Sequence, residues 1–238
     1  MSTRAQVELK IGGKPWRVEF EAPVSDSVRP AELLPVLRKF SDVMVASAEA
    51  AATEAISCTK GCGACCRQLV PIREMEARRL AAFVQSLPEP RRSTILERFT
   101  STGRRLKDAG MRERIDGRDA LDRSGRLALK LDYFALGIAC PFLEDESCGI
   151  YEERPMICRE HLVTSPMAAC ADPRAGGIHT LPMHRADSAA AKLEARPDGP
   201  EWIALIDLLD WVSAHSDDEA ACQDPRDMLQ QFLRDLTA

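Results

Sequence analysis

Of the nine cysteines in this 238-residue chain, eight fall into two clusters. The first, CTKGCGACC, reads Cys58-x3-Cys62-x2-Cys65-Cys66. The second spreads Cys140, Cys148, Cys158 and Cys170 through ACPFLEDESCGIYEERPMICREHLVTSPMAAC. A thiolate is soft and anionic, which suits zinc or the iron of an iron–sulfur cluster and not calcium or magnesium, which take oxygen. Short Cys-x2-Cys and Cys-x3-Cys loops let two sulfurs reach one ion without straining the backbone. Gly61 and Gly63 allow the sharp turn this needs, and backbone N–H groups exposed there can donate to sulfur. Neighbouring side chains diverge, so Cys65 and Cys66 are expected to differ in role. One would serve as a ligand here, the other would reach a second metal or pack as a thiol. A lone free cysteine is usually a small buried hydrophobe; four within nine residues are read as ligands.

The disulfide alternative turns on compartment. The opening MSTRAQVELKIGGK has no apolar signal-peptide core. No apolar run approaches the roughly 20 residues of a membrane span. The expected location is the cytoplasm, where thiols stay reduced and clustered cysteines read as metal ligands. A net charge of −5 supplies no global pull toward nucleic acid or an anionic membrane, so neither is expected as a partner. The chain is long enough to bury a full core without cysteine staples.

The elements that must position these thiols are mainly helical. The expected fold class is mainly α with a small β-hairpin, its irregular Cys-rich metal-binding loops held by helices. VELKI and WRVEF alternate apolar and polar residues around Gly12-Gly13 and predict the hairpin. Leu33, Leu37, Phe40 and Met44 predict a helix over 31–57, placing Cys58 near its end. Pro71 reads as a helix-start proline, with a helix through Ser86 ended by Pro88 and Pro90. Further helices are predicted over 91–107, 126–136, 202–215 and 225–236, with a mobile charged loop over 109–125. The stretch 140–170 reads as irregular with one helical turn near 150–154, and GIHTLPMH as a short strand. The expected division is an N-terminal hairpin and helix (1–54), a cysteine-cluster metal-binding domain (55–172) and a C-terminal helical extension (173–238).

The cysteine strings, taken with Pro141-Phe142-Leu143, Tyr151, Arg154-Pro155 and Arg159, resemble the YkgJ-type cysteine-cluster family, the CxxCxxCC zinc- or iron-chelating domain proteins. The resemblance covers about 55–172. It implies zinc or iron, including an iron–sulfur cluster, as the cofactor. A related group, the flagellin lysine methylases, carries a similar cysteine pattern and supplies an enzymatic alternative, either oxidoreductase or protein lysine N-methylase. No GxGxxG fingerprint accompanies it, since Gly12-Gly13 sits in the hairpin and Gly176-Gly177 follows no clear strand.

Other residues are weighed beside these. Arg154 and Arg159 could offset thiolate charge or lie on an ordinary surface. His161, three residues after Cys158, is the best histidine candidate to replace a cysteine; His179 and His184 read as plain polar residues. Arg91 to Arg126 is basic but poor in aromatics, which favours a solvated helix face over a nucleic-acid surface. The apolar residues of 202–211 read as core, with a protein partner as the alternative. Cys222 stands alone and is not expected to bind metal. No Ser–His–Asp order, phosphate loop or HExxH motif appears. Three functions remain open: a cytosolic metal-binding module, an iron–sulfur enzyme, and an adaptor that uses metal to fold its surface. The two clusters are expected to form one composite region, with 140–170 ordered mainly by the metal.

Overall fold

A computed structural model describes residues 2–59, 61–194, 201–215 and 222–237. Two long strands open the chain, β1 (Ser2–Ile11) and β2 (Lys14–Pro23), paired antiparallel with Val7 opposite Val18. Gly12 and Gly13 join them with φ of +56° and +77°. Two consecutive left-handed residues match the twist of a tight hairpin, and glycine adopts them without a Cβ penalty. Only one face is covered, where Leu9, Val18 and Phe20 rest on α1 (Pro30–Ala51). Pro30 opens that helix at a position where no N–H is needed, and Glu32 reaches back to the Arg29 N–H at 3.0 Å.

The helix α1 stops at Ala51, six residues before the expected end, despite the alanine-rich sequence there. Beyond it the chain is extended, and the Ser57 N–H bonds to the Val163 carbonyl at 2.9 Å. A tertiary backbone bond thus overrides local propensity, and Cys58 enters on an extended segment, not at a helix end. Pro71 likewise does not start a helix. It lies in β3 (Pro71–Ile72), and α2 (Glu74–Ser86) begins three residues later, where Glu76 accepts the Arg73 N–H at 3.1 Å.

The helix α3 (Arg91–Asp108) follows as expected. The predicted mobile loop is instead α4 (Met111–Asp116) and a 3-10 turn at Arg118–Ala120. Met111 and Ile115 are four residues apart, share one helical face and are buried. The charges around them pair, Arg112 with Asp207 at 2.7 Å and Arg114 with Asp132 at 2.8 Å. Asp122 then caps α5 (Arg123–Ala135) by accepting the Gly125 N–H at 2.7 Å.

The second cysteine segment has more structure than expected. It holds a two-residue hairpin, β4 (Leu143–Glu144) with β5 (Ser147–Cys148), and a 3-10 turn at Tyr151–Glu153. Two short helices follow, α6 (Met156–Arg159) and α7 (Met167–Ala171). GIHTLPMH contributes one bridge, Val163 to Thr180, and no longer strand. The helix α8 (Ala186–Leu193) was not anticipated from sequence. The predicted helix over 202–215 begins as β6 (Ile203–Ala204), paired with β3, then passes through a 3-10 turn at Leu205–Asp207 into α9 (Leu208–Ala214). The last element, α10 (Pro225–Thr237), is as expected.

Three apolar clusters hold these elements. One joins the hairpin, α1, α8 and α10 and takes in Met75 and Met156. A second packs α2 and α3 against Phe142, Ile150 and Leu208, with Cys140 and Cys148 at its margin. A third gathers Leu69, Leu106, Met111, Leu129, Tyr133 and Ile138. The cysteine loops are therefore anchored to the same cores as the helices. Among the described residues no helix is long and apolar enough to cross a membrane.

Candidate metal centre

The first cluster folds as an extended entry, a turn at Gly61 with φ +92°, and a 3-10 turn at Ala64–Arg67. The second cluster meets it directly: the Cys140 N–H donates to the Cys66 carbonyl at 2.7 Å. Arg67 adds a side-chain clamp. It donates to the Gly63 carbonyl at 2.9 Å and forks onto the Glu146 carboxylate in the β4–β5 turn. A Cβ on Gly63 would stand 2.5 Å from Glu146 Oε2 and 2.9 Å from Leu143 Cδ1, so a larger residue there would push these side-chain ends aside. Ser57, beside Cys58, ties the entry strand to Val163 and Ser165. The helix α7, which carries Cys170, packs against the Ala64–Arg67 turn.

The thiols form a mutually interacting set. Cys58 feels Cys62 and Cys65; Cys170 feels Cys58, Cys62 and Cys65. Cys66 interacts with Cys140 and Cys148, and Cys158 with Cys140, Cys65 and Cys148. All eight are free thiols. Several sulfurs accept backbone N–H groups: Cys58 from Val163 at 3.4 Å, Cys140 from Phe142, and Cys148 from Ile150. N–H donation onto sulfur is the support a metal-bound thiolate needs. In the metal-free chain, burial nonetheless works against ionisation. It raises Cys58, Cys148, Cys158 and Cys170 and pushes Cys140 up to about 12. Cys65 departs from this pattern. A hydrogen bond from the Cys66 thiol brings it down to about 7, and Cys66 rises in exchange.

Two guanidinium groups lie within electrostatic reach of the set, Arg154 and, through Cys66, Arg67. Arg154 favours the charged forms of Cys58, Cys65 and Cys148, and it is held 3.7 Å over the Tyr151 ring. Arg159 is committed elsewhere, to Asp42 at 2.9 Å and to the carbonyls of Glu152 and Arg154. Among the described residues, no three His, Cys, Asp or Glu side chains close on a common point that could hold an ion.

Beside the thiols, His161 has a buried Nε2 with no hydrogen-bond partner, and burial lowers its pKa, keeping the imidazole neutral. Its carbonyl lies 3.9 Å from the Cys58 sulfur. His179 and His184 are exposed, and so is Cys222. Sequence reasoning missed a set of buried acids behind α6. Glu76 accepts the Met156 N–H at 2.7 Å; Glu160 accepts the Ser41 hydroxyl at 2.9 Å and the Ala186 N–H at 3.0 Å. Asp187 pairs with Arg73 at 3.0 Å. Glu76 lies four residues before Leu80 and eight before Val84, so a carboxylate in the register of an apolar stripe was the available signal.

The donor set fits a soft metal: thiols without disulfides, several already accepting N–H bonds, and a neutral imidazole nitrogen without a partner. Comparison with known proteins agrees. The model of the CxxCxxCC family, described as "Putative zinc- or iron-chelating domain", matches residues 57–175, half of the chain. No curated protein and no solved structure matches. The family's segment runs from the residue before Cys58 to just beyond Cys170, and on that match the chain belongs to the CxxCxxCC family.

Proposed function

We propose that the two cysteine clusters act together as one thiolate centre for zinc or iron in a reducing, cytoplasmic setting. Cys58, Cys62, Cys65, Cys66, Cys140, Cys148, Cys158 and Cys170 are its candidate ligands. The observation that carries this reading is the Cys140 N–H to Cys66 carbonyl bond, which brings the clusters side by side. The state of the thiols supports it. Burial opposes lone thiolates here, and two guanidinium groups offset it in part, Arg154 beside Cys58, Cys65 and Cys148 and Arg67 beside Cys66. A bound metal cation would supply the missing positive charge, displacing protons as it enters. Loading requires the sulfurs to close on the ion. The bound metal would supply a Lewis-acidic or redox-active centre, according to whether zinc or iron is held.

Anaerobic purification with metal and acid-labile sulfide analysis tests the reading. Replacing Cys65 and Cys66 together by serine should also deplete metal held by Cys140 to Cys170, because the centre is shared. If each cluster loses metal independently of the other, the shared centre is wrong. If the intact protein takes up neither zinc nor iron under reducing conditions, the metal reading itself is wrong.

A further inference from the structure

A cavity of about 190 Å³ lies outside the cysteine set, bounded by Leu69 after the first cluster, by α5, and by the segment leading into β6. Its apolar lining residues are Leu69, Pro71, Leu129 and Trp202. Trp202 is held in place: the Arg118 guanidinium sits 4.4 Å from its ring centre and donates to its carbonyl. For scale, a dry cavity of about 150 Å³ accommodates benzene. The space therefore suits one ring or a compact branched chain.

The polar lining is cationic and unequal. Arg73 is committed, with Nε and Nη2 on Asp187 at 3.3 and 3.0 Å and Nη1 on the Glu201 carbonyl at 3.0 Å. Arg126 is committed to the Glu201 carboxylate at 2.6 Å and to the Leu121 carbonyl at 3.0 Å. Lys130 also lines the cavity, and it has no carboxylate partner among the described residues. The pairs cancel, and one ammonium is left beside the cavity's apolar wall of Leu69, Leu129 and Trp202.

We infer that this cavity binds a small organic monoanion with a single apolar ring or branched body, of the size of an aryl carboxylate. The body packs against Leu129 and Trp202, and the carboxylate pairs with Lys130. The full-length chain at fixed metal content, labelled with ¹⁵N, tests this through the Trp202 indole N–H signal. Benzoate should shift the signal saturably. Benzyl alcohol, which lacks the charge, and acetate, which lacks the body, should each bind about ten-fold more weakly or worse. Lys130 is exposed, so Lys130→Ala should fold normally and weaken benzoate to the level of benzyl alcohol. The inference is overturned if benzoate produces no saturable shift, if acetate binds as tightly, or if Lys130→Ala binds benzoate unchanged.

Discussion

Two sets of acids meet at α6, and they are built differently. Cys158 on this helix belongs to the thiols, while Met156 and Glu160 connect it to the buried carboxylates. Burial raises members of both sets. It lifts Cys140 to about 12, and Glu76, Glu160 and Glu194 to about 7. The carboxylates, however, are satisfied. Glu76 and Glu194 each accept two backbone N–H groups, Glu194 from Glu74 at 2.9 Å and Met75 at 2.7 Å. Asp187 has Arg73. The thiols have N–H donors but little positive charge. A complete network fixes a structure, whereas an incomplete one of soft anions awaits a cation. The carboxylates thus read as the brace and the thiols as the working site.

The largest effect should come from breaking the brace. Glu76→Ala leaves the Met156 and Arg73 N–H groups without their acceptor in a buried site. At about 1–3 kcal/mol for each unsatisfied donor, the loss should be about 2–6 kcal/mol in chemical denaturation of the metal-free protein. Cys158→Ser should cost far less in that state and show its effect in metal content. If Cys158→Ser destabilises the metal-free chain as much as Glu76→Ala does, the distinction between brace and site fails.

The same comparison sets the pH dependence. Glu76, Glu160 and Glu194 ionise near 7 when folded, against an ordinary value of 4.5. Their neutral forms favour the fold, so this stability is fully present below about 4.5 and is lost as pH rises through about 7. His161 opposes the trend: burial lowers its pKa, so its contribution is lost as pH falls below its ordinary 6.5. Asp207 is raised by burial in the same way, while the lowered Cys65 acts the other way only above about pH 7, so the melting temperature of the metal-free protein should fall between pH 5 and pH 7. Metal uptake should follow the opposite slope, because each thiol that binds must first release a proton. Parallel melting and metal-titration series would check both; equal slopes would mean that the thiols are not the proton-releasing group.

Some of this organisation was legible in the sequence and some was not. The hairpin was, because Gly12-Gly13 is a local turn signal between alternating strands. So were α3, α5 and α10, whose apolar stripes repeat at helical spacing. The end of α1 was hidden, since Ala-rich sequence favours helix and the competing partner, Val163, lies over a hundred residues away. The helix α4 was hidden because two apolar residues, Met111 and Ile115, had to outweigh a charged context whose partners, Asp132 and Asp207, come from later in the chain. The candidate ligands were legible as residue types and spacing. Their bracing was not, because a buried glutamate such as Glu160 looks the same in sequence as an exposed one until Ser41 and Ala186 surround it.

The smallest predicted effect sharpens the contrast at the turn that carries Cys148. Asp145 and Glu146 connect β4 to β5 with φ of +47° and +56°, left-handed values that favour glycine. Glu146 has a compensating role, since its carboxylate grips Arg67 and so fastens the turn to the first cluster. Asp145 is exposed, and among the described residues no hydrogen bond or ion pair holds its side chain. A left-handed residue other than glycine costs about 1–2 kcal/mol, while glycine gives back about 0.4–1 kcal/mol through the greater freedom of the unfolded chain. Asp145→Gly should therefore stabilise the metal-free protein by about 0.5–1 kcal/mol and leave metal stoichiometry unchanged. Glu146→Gly relieves the same kind of strain but releases Arg67, so its stability gain should be smaller and its metal should leave faster when a chelator is added. Equal metal off-rates for the two variants would mean that the Arg67–Glu146 clamp does not hold the two clusters together.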